Sequence, residues 1–166
     1  MRTLIVGCGN VGSNLYAELG KLKADRYDPA KGLNEKSGKY DIAFICVDTP
    51  LKDDYMVDTS VVDIAIEETD ADIIVIKSTV SVGYTERKIR ELNRNIIFSP
   101  EYYGTTQHCN NFDFNFTVLG GYETVCSKVQ QALQNVYDAR HRFILVDSRT
   151  AELSKFMENS WLAYKV

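Results

Sequence analysis

The apolar run Thr3-Leu4-Ile5-Val6 passes directly into Gly7-Cys8-Gly9-Asn10-Val11-Gly12, and no other feature constrains the fold of this chain as strongly. A short apolar strand, a G-x-G-x-x-G turn and apolar residues at helical spacing (Val11, Leu15, Leu19) are the layout of a βα unit whose turn accepts a dinucleotide. Gly7 permits the tight turn, Gly9 has no Cβ to obstruct a pyrophosphate, and Gly12 lets the helix lie close to the strand. The helix start offers unpaired N–H groups and a positive dipole end to phosphate. Gly7, Gly9, Asn10, Val11 and Gly12 are therefore candidate cofactor-binding residues. Glycine-rich turns also arise for purely conformational reasons, so the placement between strand and helix carries the reading.

The same alternation continues along the chain. The first helix stops at Gly20, and Ala24 to Asp28 is a short strand candidate. Pro29 to Lys39 reads as a loop with one helical turn. Asp41 to Val47 and Asp72 to Lys77 are continuous apolar runs, the mark of strands buried on both faces. A helix is expected over Thr59–Thr69, with Val62, Ala65 and Ile66 on one side, and another over Thr85–Leu92. Asn95–Phe98, Phe116–Leu119 and Arg142–Val146 read as strands, Glu123–Val136 as a helix, and Ser148 as the cap of a last helix. Strands without apolar–polar alternation, interleaved with helices, predict a doubly wound (Rossmann) α/β domain: a parallel sheet with helices on both faces.

The bulk properties narrow the possibilities further. At 166 residues the length suits one domain with a full core. A net charge of −4 gives no electrostatic reason to expect nucleic acid or an anionic membrane as partner. No apolar run reaches the roughly 18–20 residues of a spanning helix, and the strand that follows Met1-Arg2 leaves no room for a signal peptide. Cys8, Cys46, Cys109 and Cys126 lie far apart, with no metal-ligand spacing. They read as reduced thiols in a cytoplasmic protein, and no metal site is expected.

Four segments fall at predicted strand ends: the glycine turn, Val47-Asp48-Thr49-Pro50, Lys77-Ser78-Thr79-Val80-Ser81-Val82-Gly83, and Ser99-Pro100-Glu101. A doubly wound sheet gathers such ends on one rim, outside which ligands bind. The long polar stretch 99–115 after a strand end reads as functional for the same reason. Hydroxyls and a carboxylate there suit proton handling beside a hydride transfer, although Thr49 and Thr79 suit turn or capping chemistry equally well. On the last helix Leu153, Phe156, Met157, Ser160, Trp161 and Tyr164 form an apolar stripe, expected to bury itself on the domain at its start and on other protein beyond. Glu152, Lys155 and Asn159 line a separate strip. Lys155 and Asn159 are one turn apart and fit two donors to one oxyanion; the plainer reading is a solvated face with a Glu152–Lys155 pair.

Together, Gly7–Gly12, Val47–Pro50, Lys77–Gly83, Ser99–Glu101 and the stretch Ala151 to Asn159 (A-E-L-S-K-F-M-E-N) resemble, in order and spacing, the amino-terminal domain of the UDP-glucose/GDP-mannose dehydrogenases. The UDP-glucose 6-dehydrogenases are the nearest likeness within that family. The resemblance spans essentially the whole chain, and the K-S-T-V-x-V-G and A-E-L-x-K-x-x-x-N stretches are its specific parts. It implies NAD-dependent oxidation of the C6 hydroxyl of a nucleotide sugar to a carboxylate, through a cysteine-bound thiohemiacetal and thioester. It further implies that Lys155 and Asn159 hold the oxyanion, that Thr79 places a water and touches the cofactor, and that Glu101 is the acid/base of hydrolysis. Val47, Thr49, Pro50 and Ser78 would lie against NAD, and Asp28 would take the adenosine ribose hydroxyls. A carboxylate there favours NAD over NADP, a preference that the nearby Arg26 weakens.

The resemblance divides the chain into a dinucleotide-binding domain, 1–148, and the start of a central helix, 149–166, leading to a homodimer or second domain. It is broken in two places. After P-E the family reads F-L-x-E-G, whereas Tyr102-Tyr103-Gly104-Thr105 stands here without the second glutamate. The family's nucleophilic cysteine belongs to a glycine-rich motif beyond the Lys/Asn helix, and Cys109 lies in the wrong segment to replace it, so the chain is expected to be catalytically incomplete. The alternatives are a two-electron β-hydroxyacid-type dehydrogenase domain and a non-catalytic dinucleotide-binding module.

Overall fold

The computed structural model describes residues 1–102 and 115–165, apart from the side chains of residues 162 and 165. Its strands are β1 (Thr3–Val6), β2 (Asp25–Asp28), β3 (Leu33–Asn34), β4 (Tyr40–Ile45), β5 (Ala71–Ile76), β6 (Ile96–Phe98), β7 (Phe116–Gly120) and β8 (Arg142–Val146). They form one sheet in the order β3-β2-β1-β4-β5-β6-β7-β8. The α-helices are α1 (Asn10–Glu18), α2 (Ser60–Glu67), α3 (Tyr84–Leu92), α4 (Glu123–Leu133) and α5 (Ser148–Lys165).

Both faces of the sheet are covered, which explains the apolar strands. Leu4, Val6, Ala43, Ile45, Ile74, Ile76 and Phe98 pack with Val62, Ala65 and Ile66 of α2 and Tyr84 of α3. Their neighbours Ile5, Ile42, Phe44, Ile73, Val75 and Ile97 pack with Leu15 of α1, Leu19 just past its end, and Val125, Cys126, Val129 and Leu133 of α4. Successive strand residues point to opposite sides, so a sheet packed on both needs apolar side chains at every position. The strand order reverses between β1 and β4, and the carboxyl ends flanking that switch point are where a ligand crevice opens.

The doubly wound architecture is as expected, with two departures from an all-parallel sheet. Leu33–Asn34, read from the sequence as loop, is an antiparallel edge strand on β2. β7 is antiparallel to β6, meeting it at Phe98↔Gly120, and β8 then runs parallel to β7. The start of the last helix also differs. Asp147, not Ser148, supplies the cap: its carboxylate accepts from the Thr150 N–H at 2.9 Å and the Thr150 hydroxyl at 2.5 Å.

Candidate functional site

The glycine turn is set by backbone packing. Gly7 has φ +85° and its N–H donates to the Tyr27 carbonyl at 2.9 Å, joining the turn to β2. A Cβ on Gly12 would come within 1.9 Å of the Gly7 carbonyl oxygen, whereas one on Gly9 would meet nothing within 4 Å. The turn is closed where helix meets strand and open where a pyrophosphate would lie. Helix α1 begins with no side-chain cap and no acidic residue in its first turn, so its own sequence leaves the first N–H groups open to a ligand. These residues fit a dinucleotide.

From the end of β2 two charged side chains grip the turn. Asp28 Oδ2 accepts from the Cys8 N–H at 2.8 Å, and Lys31 Nζ donates to the Cys8 carbonyl at 2.6 Å. Arg26, near Asp28 in the sequence, is engaged by a different carboxylate. It pairs with Glu35 at 2.9 Å and its guanidinium lies 4.5 Å from the centre of the Tyr16 ring. That hydrogen-bonded pairing raises the Arg26 pKa and lowers that of Glu35.

A cavity of about 230 Å³ opens beside the turn. Gly9, Asn10 and Val11 line one side; Cys46, Val47, Asp48 and Thr49 line another; Lys77, Ser78, Thr79 and Glu101 complete it. All four predicted strand-end segments thus meet on one rim. Pro50 and Asp28 do not line this cavity, and Asp28 instead braces the turn. The Ser78 hydroxyl donates to the Val47 carbonyl at 2.7 Å, tying the β5 end to the β4 end. Lys77, to which the sequence pattern assigned no role of its own, is buried at the same place. Its ammonium donates to Ser99 Oγ at 3.3 Å and to the Pro100 carbonyl at 3.5 Å. No carboxylate among the described residues lies within ion-pair distance of it, and burial lowers its pKa below the ordinary lysine value. Burial also pushes the Cys46 thiol up to about 12, so it is an inert core group.

Helix α5 brings Lys155 to this rim. Lys155 Nζ lies 2.6 Å from the Glu101 carbonyl oxygen, 3.2 Å from the Glu101 carboxylate and 3.2 Å from Glu158. Both partners of the Lys155–Glu101 pair are close to nine-tenths buried, with 9% and 11% of their side-chain surface exposed. Asn159 is not brought to the pair; it sits exposed one turn further along.

Glu152 overturns the expected solvated Glu152–Lys155 pair. It is completely buried, its carboxylate accepting from the Gly83 N–H at 2.5 Å and the Thr85 N–H at 2.8 Å. The start of the apolar stripe is corrected as well: Leu153 is exposed, and the face turned to the domain is Ala151, Glu152 and Lys155; Met157, Trp161 and Tyr164, expected to meet other protein, are exposed in the single chain. The reason is close approach. Gly120 has no side chain, and a Cβ there would lie 2.3 Å from that of Ala151, so the helix settles its smallest side onto β7. Helix α3 has no side-chain cap from its own sequence, and that deficit was the available sign that a distant acceptor must serve Gly83 and Thr85. Cys109 and Tyr103-Gly104-Thr105 lie outside the described residues.

Comparison with known proteins adds three kinds of likeness. The profile of the UDP-glucose/GDP-mannose dehydrogenase family, NAD binding domain, matches residues 17–141. Uncharacterized protein MJ1054 of Methanocaldococcus jannaschii is 32% identical over 142 residues, covering 76% of this chain and 16% of that protein. The UDP-N-acetyl-D-mannosamine dehydrogenase of Pyrococcus horikoshii is 29% identical over 160 residues, covering 86% of this chain and 36% of that protein. In fold, the chain is similar to the GDP-mannose dehydrogenase of Pseudomonas aeruginosa, with a TM-score of 0.76 and 19% identity, covering 99% of this chain and 50% of that one. The chain therefore spans half the length of that solved protein and less of the two sequence relatives. The glycine turn and Lys155 both fall outside the span that the profile matches.

Proposed function

The chain belongs to the UDP-glucose/GDP-mannose dehydrogenase family as its NAD-binding domain, and from that premise we propose that it serves an enzyme oxidising the C6 alcohol of a UDP-sugar, UDP-glucose foremost, to the carboxylate. The observation that carries this reading is the meeting of Lys155 with Glu101 at the cavity beside the glycine turn. An ammonium stabilises negative charge developing on a substrate oxygen, and a carboxylate next to it moves protons. Oxidation of an alcohol through a carbonyl to an acid needs both.

When bound, NAD supplies the hydride acceptor. The chain's own groups bind and orient. The N–H groups at Gly9 to Val11 would receive the pyrophosphate, with Gly7 and Gly12 fixing the turn; Asp28 would receive the ribose hydroxyls with the oxygen it does not give to Cys8; Val47, Thr49 and Ser78 would flank the cofactor, with Pro50 just outside the cavity. Thr79 places a water for hydrolysis, Glu101 takes its proton, and Lys155 donates to the C6 oxygen; Asn159, exposed one turn further along, is the second donor the substrate would have to reach. The nucleophilic cysteine is assigned to a segment beyond Asn159 in the family pattern, so the 166-residue chain alone is proposed not to complete the oxidation. The exposed Leu153, Met157, Trp161 and Tyr164 are proposed to be covered in a homodimer in the cytoplasm.

Titration of this chain with NAD and NADP tests the first half of the reading. Gly9→Val should weaken NAD binding, because a side chain would enter the open space above the turn. Asp28→Ala should narrow the NAD-over-NADP preference by about tenfold, roughly one lost charge-assisted hydrogen bond. Equal NAD affinity for wild type and Gly9→Val would remove the placement. The second half is tested on the natural full-length chain with UDP-glucose, UDP-N-acetyl-mannosamine, GDP-mannose and a β-hydroxyacid panel. Acid product from a UDP-sugar supports the reading; turnover of the hydroxyacids alone would make it a β-hydroxyacid dehydrogenase, and no turnover a binding module.

A further inference from the structure

We infer that Glu152 is a positioning residue: its buried carboxylate fixes the rotation and height of α5 so that Lys155 meets Glu101. The inference rests on the proposed role of that pair for its consequence in catalysis, though not for its geometry. Glu152 is fully buried and yet ionisable, an expensive arrangement unless its oxygens are satisfied. They are satisfied by two backbone N–H groups 67 and 69 residues away in sequence, Thr85 at 2.8 Å and Gly83 at 2.5 Å. Those donors stand at the start of α3, which has no cap of its own, so the carboxylate also meets the positive end of the α3 dipole. Side chains three residues apart on a helix share a side, so Lys155 stands on the face that Glu152 anchors.

The two contacts close a circuit. Residues 77–83 carry Lys77, Ser78 and Thr79 into the cavity and end on the Gly83 N–H that Glu152 accepts. Lys77 holds Ser99 and the Pro100 carbonyl, the next residue is Glu101, and Glu101 receives Lys155 from the helix that Glu152 anchors. Each segment is held by the other two. Outside the circuit, Arg149 adds an exposed pair to Glu86 on the same two helices. That pair is solvent-screened and contributes little. Ala151 against Gly120 and the Asp147 cap still hold the first turn, so loss of the Glu152 contacts frees the rotation of α5 where it carries Lys155.

Lysine acetylation of this chain by a small amine-reactive ester, read residue by residue by mass spectrometry, tests the geometry without substrate. Glu152→Gln keeps the shape but turns an acceptor into an N–H donor facing a backbone N–H. Lys155 labelling should then rise several-fold, while Lys88, held by its own contacts to Asp63 and Glu91, stays protected. Unchanged Lys155 labelling, or an equal rise at Lys88, would overturn the inference, the second result marking Glu152 as a cap for α3 alone. Should Glu152→Gln not fold, Glu152→Asp, charged but one methylene shorter, gives the same readout at lower amplitude. In the natural full-length protein, Glu152→Gln should lower kcat several-fold and leave KM for NAD near wild type. A wild-type protein without turnover would count against the proposed function alone, since the labelling requires no reaction.

Discussion

The glycine turn and the Lys155–Glu101 pair stand on one rim but are built by opposite means. The turn is made from residues 7–12 and braced from β2, chiefly by backbone geometry: a positive φ at Gly7 and a helix pressed against a carbonyl at Gly12. The pair is made from segments 54 residues apart, and is held by buried charges, Glu152 below it and Lys77 beside it. A turn that must leave space for a large anionic ligand gains from lacking side chains. A site that must stabilise charge on a reacting oxygen needs ions, and ions out of water need distant partners to satisfy them. The binding turn is thus shaped by one short segment and only braced from outside by Asp28 and Lys31, whereas the arrangement proposed for chemistry exists only through long-range contacts.

The largest effect should come from adding one methyl group at the turn. Gly12→Ala places a Cβ 1.9 Å from a backbone oxygen that has nowhere to move. It should cost about 3 kcal/mol or more, towards the upper end of overpacking, or prevent folding. Gly9→Ala, with nothing within 4 Å of the new atom, should stay within about 0.5 kcal/mol of wild type in urea unfolding. If the two variants unfold alike, the turn is not held by backbone contact and the contrast with α5 fails.

The same division explains what the sequence disclosed. Gly7 to Gly12, the runs in β4 and β5, and the buried side of α2 are local patterns, and each appears in the structure close to its expected bounds. Leu33–Asn34 was hidden because a two-residue edge strand has no periodicity to read. The antiparallel β7 was hidden because alternation is the same in either strand direction; one pairing, Phe98 with Gly120, fixes it. For α5 the helical wheel separated the apolar stripe from the charged strip correctly but assigned the inward side wrongly. Apolar content pointed to Leu153 at the helix start; the absence of a side chain at Gly120 and the uncapped start of α3 decided for Ala151 and Glu152. Neither fact lies near α5 in the sequence.

Lys77 offers an intermediate effect whose sign separates the two regions. Burial disfavours its ammonium, so its folded-state pKa lies below the ordinary value of 10.5 and the unfolded chain binds the proton more tightly. The resulting penalty is absent above pH 10.5, grows as pH falls below it, and is present at neutral pH. Lys77→Met should therefore stabilise the chain at pH 7 by on the order of 1–3 kcal/mol, as replacement of buried ions by apolar groups does. The gain should shrink as unfolding is measured at rising pH towards 10. A variant that is less stable than wild type at pH 7 would mean that the contacts to Ser99 and Pro100 outweigh the cost of burying the ammonium.

The smallest effect tests whether local backbone geometry is as well optimised outside the turn. After Val47–Pro50 the chain makes a small hairpin: Leu51 bridges Val57, and the Lys52 N–H donates to the Met56 carbonyl at 2.8 Å. At its tip Tyr55 has φ +64° and is 85% exposed. An L-residue with a side chain is disfavoured there by roughly 1–2 kcal/mol, and the Tyr55 ring is too exposed to gain much from packing. Asn93 takes a similar φ of 49° at the end of α3, where asparagine is well suited to it. Glycine relieves the strain but adds freedom to the unfolded chain, worth roughly 0.4–1 kcal/mol in the opposite direction. Tyr55→Gly should therefore raise stability by about 0.5 kcal/mol, and Tyr55→Asn should do at least as well, because asparagine tolerates this backbone without the entropy loss of glycine. Urea midpoints for the two variants decide the matter. A lower midpoint in both would show that the tyrosine ring contributes more at this tip than its backbone conformation costs, and that the hairpin, like α5, depends on side-chain contacts.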